Sequence, residues 1–266
     1  MGAGGTVSWD PGQYLRYRDE RSRPFADLTA RIRAGAPRYV VDLGCGPGNL
    51  TARLAERWPG ARVVGVDSSR RMIDRARAHR VPGRLEFALA DLRDWRPEQP
   101  VDVLVSNATL QWVPGHLQLL PRLVAATAPG GWLAFQVPGN FTEPSHRLLD
   151  ELRRAPRWRD LVGDAVPAPA AYGPAEYLAA LAMLGCAVDA WETTYLHVLP
   201  GEDPVLEWMR GTGLRPVLDV LAGGDRDRFV AEYGAALREA YPRREYGTVL
   251  PYRRVFVVAR ASGSEE

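Results

Sequence analysis

Short runs of apolar residues alternate along this chain with segments whose apolar residues recur at helical spacing. The run over residues 63–66 is continuous and that over 39–43 is broken only by Asp42, as expected of strands buried on both faces of a parallel sheet. Between them, Leu50, Leu54 and Trp58 recur on one helical face. Strand and helix therefore alternate, which predicts parallel strands joined by helical crossovers.

The alternation continues and then changes in the second half of the chain. We predict a long surface loop over residues 155–174, a helix over 174–184 and a wholly helical stretch over 203–241. The chain, residues 1–266, is expected to form one α/β domain with a doubly wound, mostly parallel seven-stranded sheet. Residues 203–248 form a helical insertion before the last strand, where we expect them to cap the substrate site. The five further strands are predicted over residues 85–88, 101–105, 132–137, 186–199 and 255–258.

Helix signals precede the first strand. Asp10, followed by proline, predicts the N-terminus of a helix that runs to about Ser22. Pro24 predicts the start of a second helix, which Gly35 ends. Residues 9–35 are therefore expected to form a helical cover.

Composition narrows the class of protein. The 266 residues carry 34 basic and 32 acidic side chains, and 46% of them are hydrophobic, which is typical of a globular domain and argues against a nucleic-acid partner. Every basic residue is arginine. We attribute the absence of lysine mainly to genome composition, although a guanidinium can also bind an anionic ligand through two parallel hydrogen bonds. Two cysteines make neither a disulfide scaffold nor a metal set. No secretory signal or membrane-spanning run is visible, so we expect a cytoplasmic protein without a membrane partner.

A glycine-rich turn follows the first predicted strand, with the sequence Asp-Leu-Gly-Cys-Gly-Pro-Gly-Asn over residues 42–49. Its glycines let the backbone turn sharply and approach a ligand closely, in front of a helix N-terminus. The spacing differs from the dinucleotide fingerprint, and Asn49 takes the place of its last glycine. Asp42 would repel a pyrophosphate but suits a ligand with a positively charged end.

Polar residues follow each of the next three strands. Asp67 ends the second strand, where a carboxylate can accept from both hydroxyls of a ribose. Asp91 follows the third strand, where it could accept from an adenine amino group, and Asn107 follows the fourth. Each acid alone could equally be a helix cap or turn residue. Together with the glycine turn, they predict a nucleoside site at the carboxyl edge of the sheet.

These residues resemble the class I S-adenosylmethionine-dependent methyltransferases. Four further segments resemble the trans-aconitate 2-methyltransferase family in particular, and the resemblance extends over about residues 9–260. They are Glu-Arg-Ser-Arg-Pro (20–24), Asn-Ala-Thr-Leu-Gln-Trp (107–112), Trp-Glu-Thr-Thr-Tyr-Leu-His (191–197) and Gly-Thr-Gly-Leu-Arg-Pro (211–216).

The resemblance implies S-adenosylmethionine as cofactor and S-adenosylhomocysteine as its product. It implies a polycarboxylic acid, trans-aconitate, as the substrate, of which one carboxylate is esterified to give the monomethyl ester. The acid is already ionised at pH 7, so no general base is needed and no catalytic residue is predicted. No metal site is predicted either. The expected cofactor residues are Tyr14, Arg23, Asp42, Gly44, Gly46, Gly48, Asn49, Asp67, Ser68, Met72, Asp91, Leu92 and Asn107.

Buried negative charge on the substrate requires donors, and arginine forks are the natural choice. Arg215 is the first candidate, and His197, Gln111, Trp112 and His116 are expected to face the same acid. Core packing is the alternative for Trp112, and a structural role is the alternative for either histidine.

Three other functions stay open at this stage. The chain could methylate another small acid or metabolite, or it could be a cofactor-binding regulatory module without turnover. A nicotinamide-dependent oxidoreductase is a weaker alternative, because Asn49 and the helical insertion disfavour it. The oligomeric state is unknown.

Overall fold

The computed structural model describes residues 18–162 and 170–263, in which seven strands form one sheet. The apolar runs of the sequence supply its buried strands, and β1 is buried at every position. The strands are β1 (Tyr39–Leu43), β2 (Arg62–Asp67), β3 (Leu85–Leu89), β4 (Val101–Asn107), β5 (Thr127–Pro138), β6 (Ala187–Leu199) and β7 (Thr248–Arg260).

Helices separate most of these strands, as the alternating pattern predicts. Pro at the first or second position begins several of them, where the missing N–H costs no helical hydrogen bond. The helices are α1 (Arg18–Ala30), α2 (Asn49–Arg57), α3 (Arg70–Ala76), α4 (Leu120–Ala126), α5 (Pro144–Arg154), α6 (Pro156–Arg159), α7 (Pro174–Ala182), α8 (Pro204–Arg210), α9 (Arg215–Val220) and α10 (Gly223–Ala240).

The strand order is β3-β2-β1-β4-β5-β7-β6. The pairs β1–β2, β1–β4, β2–β3 and β4–β5 are parallel, whereas β7 runs antiparallel to β5. The order reverses direction at β1, so the carboxyl ends of β1 and β4 lie side by side at the topological switch point. This confirms the predicted mostly parallel, doubly wound sheet of seven strands.

Residue contacts divide the described chain into two compact units. The larger unit comprises residues 19–138, 170–193 and 254–263, and its core packs strand residues such as Val41, Leu104 and Phe135. The smaller unit comprises residues 139–162 and 194–253.

The core of the smaller unit contains Trp158, Trp208, Phe229 and Tyr233. The predicted helical stretch over 203–241 lies in this unit as α8, α9 and α10, between β6 and β7. Among the described helices, none is long and apolar enough to cross a membrane.

The predicted break in the N-terminal helix is wrong. Helix α1 continues from Arg18 through Pro24 to Ala30, although proline removes one backbone hydrogen bond from a helix interior. Phe25 and Leu28 follow Pro24 and are almost fully buried, so burial of this face outweighs the lost hydrogen bond. The predicted helix start at Asp10 lies outside the described residues.

The predicted loop over residues 155–174 is also wrong in its first part. Residues Pro156–Arg159 form a short helix whose Trp158 is 1% exposed and packs edge-to-face on Phe229. The Trp158 indole N–H donates to Glu232 at 2.9 Å. A buried tryptophan is stable when its ring packs on an apolar partner and its N–H has an acceptor. This packing outweighs the Ala/Pro-rich composition, which predicted a surface loop.

Candidate active site

The glycine-rich turn joins β1 to α2 and lies over the end of β2. The backbone N–H groups of Gly44 and Cys45 donate to the carbonyl of Val66 at 2.7 and 3.0 Å. A Cβ on Gly44 would lie 2.0 Å from the Thr109 hydroxyl oxygen, so only glycine fits there. The turn has three glycines with positive φ, which are Gly44 (80°), Gly46 (55°) and Gly48 (83°).

The Asp67 carboxylate holds the far side of this turn. Its Oδ2 accepts the backbone N–H of Gly46 at 2.9 Å, and its Oδ1 accepts that of Ser69 at 2.8 Å. Burial raises the pKa of Asp67, and the two hydrogen bonds oppose that rise. Each oxygen keeps a second lone pair, so the carboxylate can still accept from two neighbouring hydroxyls, as predicted for a ribose.

Asp42 is 2% exposed at the end of β1. Its Oδ2 accepts the Thr51 hydroxyl at 2.7 Å, whereas its Oδ1 is buried and has no hydrogen-bond partner among the described residues. Burial raises the Asp42 pKa to about 7; the Thr51 hydrogen bond lowers it and the charge of Asp67 raises it. A buried carboxylate oxygen without a donor is costly, and a ligand ammonium would satisfy it.

Asp91 makes an ion pair that the sequence does not suggest. The Arg93 guanidinium binds both of its oxygens, with N–O distances from 2.6 to 3.1 Å. The Arg93 hydrogen bond lowers the Asp91 pKa. The pair is mostly exposed, so it is weak and leaves lone pairs for the predicted adenine contact.

Asn107 ends β4 and is the first of three hydrogen-bonded polar residues, of which sequence reasoning missed the other two. Its Oδ1 accepts the Gln136 amide at 2.6 Å, and Gln136 Oε1 accepts the Arg254 guanidinium at 3.3 Å. Gln136 is 1% exposed and Arg254 is 6% exposed. The only signal in the sequence is a polar residue inside each apolar strand, in Phe-Gln-Val (135–137) and in Arg-Val-Phe (254–256).

The remaining predicted cofactor residues have ordinary surroundings. Arg23 is exposed on α1 beside Asp27, and Tyr14 lies outside the described residues. Ser68 is exposed, Met72 and Leu92 are buried, and Asn49 begins α2.

His116 has structural contacts in place of the predicted substrate contact. It is fully buried. Its Nδ1 donates to the Val113 carbonyl at 3.2 Å, and its Nε2 accepts the Tyr177 hydroxyl at 2.6 Å. Burial lowers the His116 pKa, so the ring is neutral and has no N–H left for a carboxylate. The geometry therefore favours the structural role for His116 over contact with the acid.

Gln111 and Trp112 lie in the short turn after β4. Gln111 is buried, and its amide donates to the Ala108 carbonyl at 2.6 Å. Its Oε1 is buried without a partner among the described residues. An acceptor is the wrong group for a carboxylate, so the geometry of Gln111 does not favour the predicted contact. Trp112 is half-buried.

The two other predicted substrate residues lie in the smaller unit. His197 stacks on Trp208, with ring centroids 5.0 Å apart, and lies near Tyr252. Arg215 begins α9, and its Nε lies 3.3 Å from the Asp219 carboxylate one turn further on. Its side chain is 21% exposed, although its Nε is buried.

A polar cluster in the smaller unit has no counterpart in the sequence predictions. His146 Nδ1 lies 3.2 Å from both the Asn140 amide nitrogen and the Ser145 hydroxyl. Burial lowers the His146 pKa to about 4, so its ring is neutral. A Cβ on Gly213 would lie 3.4 Å from His146 Nε2. The ring therefore faces the Gly-Thr-Gly segment that begins at residue 211.

The side chains that could bind a metal ion are scattered over the described residues. Among the described residues, no cluster of three or more histidine, cysteine, aspartate or glutamate side chains could hold a metal ion. Both cysteines, Cys45 and Cys186, are buried and free.

Comparison with known proteins agrees with the fold. A family model described as a methyltransferase domain matches residues 40–131. A chain from the complex between the Haloferax volcanii Trm112 methyltransferase activator and a putative methyltransferase superposes with a TM-score of 0.55 at 20% identity, covering 96% of this chain and 97% of that one. Haemonchus contortus phosphoethanolamine N-methyltransferase 2, solved with S-adenosyl-L-methionine, gives 0.57 at 15% identity, covering 95% and 56%.

Two curated relatives match nearly the full length. The trans-aconitate 2-methyltransferase of Streptomyces avermitilis is 59% identical over 259 residues, which cover 95% of this chain and 96% of that protein. The trans-aconitate 2-methyltransferase of Rhodococcus jostii is 51% identical, with 95% and 99% covered.

Strand order, glycine turn and matched domain define a class I S-adenosylmethionine-dependent methyltransferase. This confirms the predicted class and cofactor and excludes the nicotinamide-dependent alternative. Within that class, the chain belongs to the trans-aconitate 2-methyltransferase family.

Proposed function

We propose that this chain transfers a methyl group from S-adenosylmethionine to one carboxylate of trans-aconitate and releases the monomethyl ester. The observation that carries the proposal is the extent of the similarity. It covers 95% of the chain at 59% identity, and so includes the helical insertion over residues 203–248 as well as the glycine turn.

The residues at the glycine turn fit the cofactor. Asp42 Oδ1 is buried and lacks a partner among the described residues, which suits the methionine ammonium. Asp67 has a free lone pair on each oxygen, which suits the two ribose hydroxyls. A Cβ on Gly46 would meet no atom within 4 Å, so the backbone there can approach a ligand closely. Asp91 would accept from the adenine amino group.

The chemical step needs orientation more than proton transfer. When bound, S-adenosylmethionine supplies a sulfonium-activated methyl group, which a carboxylate oxygen takes as the carbon–sulfur bond breaks towards sulfur. A carboxylic acid with a pKa near 4 is already ionised at pH 7. The chain's own residues therefore have to hold the carboxylate in line and exclude water, an effect of about 7–11 kcal/mol at best.

Binding a tricarboxylate requires charged or strongly polar donors. Arg215 is partly exposed at the start of α9 and remains the arginine that we propose for this role. His197 stacks beside Trp208, and Trp112 is half-buried after β4. We propose that the helical insertion supplies acid-binding groups, since it contains the segment over residues 211–216 that resembles the family.

The test is a methyl-transfer assay with purified protein and radiolabelled S-adenosylmethionine. The substrates are trans-aconitate, cis-aconitate, citrate, isocitrate and fumarate, each at the same concentration. We expect label in an ester that mild base hydrolyses to methanol, with the highest kcat/KM for trans-aconitate. The esterified carboxylate is assigned by NMR of the product.

Two results would overturn the proposal in different ways. A higher kcat/KM for another acid would change the substrate assignment. Tight binding of S-adenosylhomocysteine by calorimetry without turnover of any acid would instead support a cofactor-binding regulatory module.

A further inference from the structure

A line of buried polar side chains crosses the carboxyl edge of the sheet in the larger unit. In the β4–β5 register Asn107 pairs with Gln136, and in the β5–β7 register Arg254 pairs with Pro138, two residues further on. Gln136 and Arg254 are nearly inaccessible. Polar groups at such positions cost free energy unless they are hydrogen-bonded, so the line is a specific arrangement that core packing does not require.

The direction of each hydrogen bond in the line is fixed. A guanidinium has only donors, so Arg254 requires that the carbonyl oxygen of the Gln136 amide face it, as observed at 3.3 Å. The amino group of Gln136 must then face the other way, and it donates to Asn107 Oδ1 at 2.6 Å. Asn107 therefore has its oxygen engaged, and its Nδ2 amino group is oriented away from Gln136.

The free end of this line lies beside the glycine turn. The Thr109 hydroxyl is 3.2 Å from the Asn107 carbonyl oxygen and 3.4 Å from that of Gly44, which ties the end of β4 to the turn. Asn107 is half-buried, and its Nδ2 makes no hydrogen bond among the described residues. An amide N–H donor is thus accessible at the switch point of the sheet.

The type of polar group changes across the sheet edge. Asp91, Asp67 and Asp42 follow or end β3, β2 and β1 and offer acceptors, which suit the amino and hydroxyl groups of the cofactor. From β4 onward, the line ending at Asn107 presents a donor with a guanidinium behind it. Hydrogen bonds in a chain polarise one another, so the charge of Arg254 strengthens the Asn107 donor.

We propose that Asn107 Nδ2 donates a hydrogen bond to a carboxylate of the acid substrate, and that Gln136 and Arg254 are positioning residues that set the orientation of the Asn107 amide. The inference rests on the proposed function, because it assumes an acidic methyl acceptor. It assigns Asn107 to the acid instead of the cofactor contact that the sequence suggests.

The decisive variant is Gln136→Glu. Glutamate accepts from Arg254 but cannot donate to Asn107, so the Asn107 amide turns its amino group inward and presents its oxygen to the substrate. We expect KM for trans-aconitate to rise at least about tenfold, as for loss of a hydrogen bond to a charged group, while the Kd for S-adenosylhomocysteine stays within about twofold.

Two further variants distinguish the orientation of the Asn107 amide from the negative charge that Gln136→Glu adds and from changes in packing. Gln136→Met removes both hydrogen bonds without adding charge, so Asn107 can adopt either orientation, and KM should rise by a smaller factor. Arg254→Gln removes the donor-only group that orients Gln136 and should raise KM as well. Arg260→Gln is the matched control, because Arg260 lies at the other end of β7, is exposed and donates to the Gly130 carbonyl. Its KM should equal that of the wild type.

A measurement on the wild-type protein checks the contact without turnover. In the complex with S-adenosylhomocysteine, the Asn107 side-chain amide protons, assigned with the help of Asn107→Asp, should shift downfield when trans-aconitate is added. Unchanged amide shifts would overturn the inference, and so would an unchanged KM in Gln136→Glu or a KM that rises in parallel with the cofactor Kd. A wild-type protein that makes no ester overturns the proposed function instead.

Discussion

The backbone N–H of Gly46 donates to Asp67 Oδ2 at 2.9 Å, so one carboxylate both shapes the glycine turn and faces the ligand edge of the sheet. Replacing Asp67 by Ala should weaken S-adenosylhomocysteine binding by about 10- to 100-fold, since hydrogen bonds to a charged group contribute about 1.5–3 kcal/mol. Calorimetry measures the affinity.

Circular dichroism should show that Asp67→Ala remains folded, because the strand pairs of β2 do not depend on this side chain. Asp74→Ala is a control. Asp74 lies on α3, the helix that follows β2, and makes an exposed ion pair with Arg77. An unchanged affinity in Asp67→Ala would mean that the ribose does not bind at Asp67.

Two glycines of the turn separate backbone strain from steric overlap. Gly44 and Gly46 both have positive φ, but only the Cβ on Gly44 would collide with Thr109, whereas that on Gly46 meets open space. Gly46→Ala should cost about 1–2 kcal/mol of stability from the left-handed backbone alone. Gly44→Ala should cost about 1–3 kcal/mol more from overpacking. Urea unfolding of the apoproteins measures both, and equal losses would contradict the predicted collision.

Cofactor affinity should depend on pH through Asp42. Its pKa is raised to about 7 in the apoprotein, and a ligand ammonium binds the ionised form. Affinity for S-adenosylhomocysteine should therefore fall as pH drops below about 7, by up to about tenfold per pH unit. Calorimetry between pH 5.5 and 8.5 checks this.

The same titration has two informative variants. Asp42→Asn should abolish the pH dependence together with much of the affinity. Thr51→Val removes a hydrogen bond that lowers the Asp42 pKa, so it should move the midpoint to higher pH. A wild-type affinity that is constant from pH 5.5 to 8.5 would show that the cation does not contact Asp42.

His116 and Tyr177 should affect stability and not substrate binding. Tyr177→Phe leaves the buried His116 Nε2 without its donor, which should cost about 1–3 kcal/mol. KM for the acid should stay within about twofold of the wild-type value. Thermal unfolding and steady-state kinetics of Tyr177→Phe together test this. A large rise in KM with unchanged stability would support a substrate-binding role for His116.

Arg215→Ala should raise KM for the acid by about 10-fold or more and leave cofactor affinity nearly unchanged, since it removes a charged donor from the anion. Arg210→Ala is the matched control, because Arg210 lies on the preceding helix and pairs with Glu207. Equal KM values for the two variants would remove Arg215 from the acid site.

The apolar pattern predicted the fold because strand and helix periods are local properties of sequence. The pattern predicted seven strands, and their alternation with helices predicted a mostly parallel sheet. The strand order is a finding of the structure. The pattern failed where packing opposed a local signal. Pro24 lies inside α1, and Trp158 is buried in a stretch whose composition predicts a surface loop.

The residue types and spacing over residues 42–49, with the acids at the next strand ends, predicted a nucleoside site from sequence alone. The resemblance of these residues to class I methyltransferases then implied the cofactor. Only the tertiary structure decided the state of each group. Folding buries Asp42 and so raises its pKa. It also gives His116 a hydrogen-bond partner in Tyr177, and it connects Asn107 to Arg254 through Gln136. Gln136 and Arg254 are 118 positions apart in the sequence. Desolvation and hydrogen-bond direction depend on neighbours that only folding brings together, which a local pattern cannot encode.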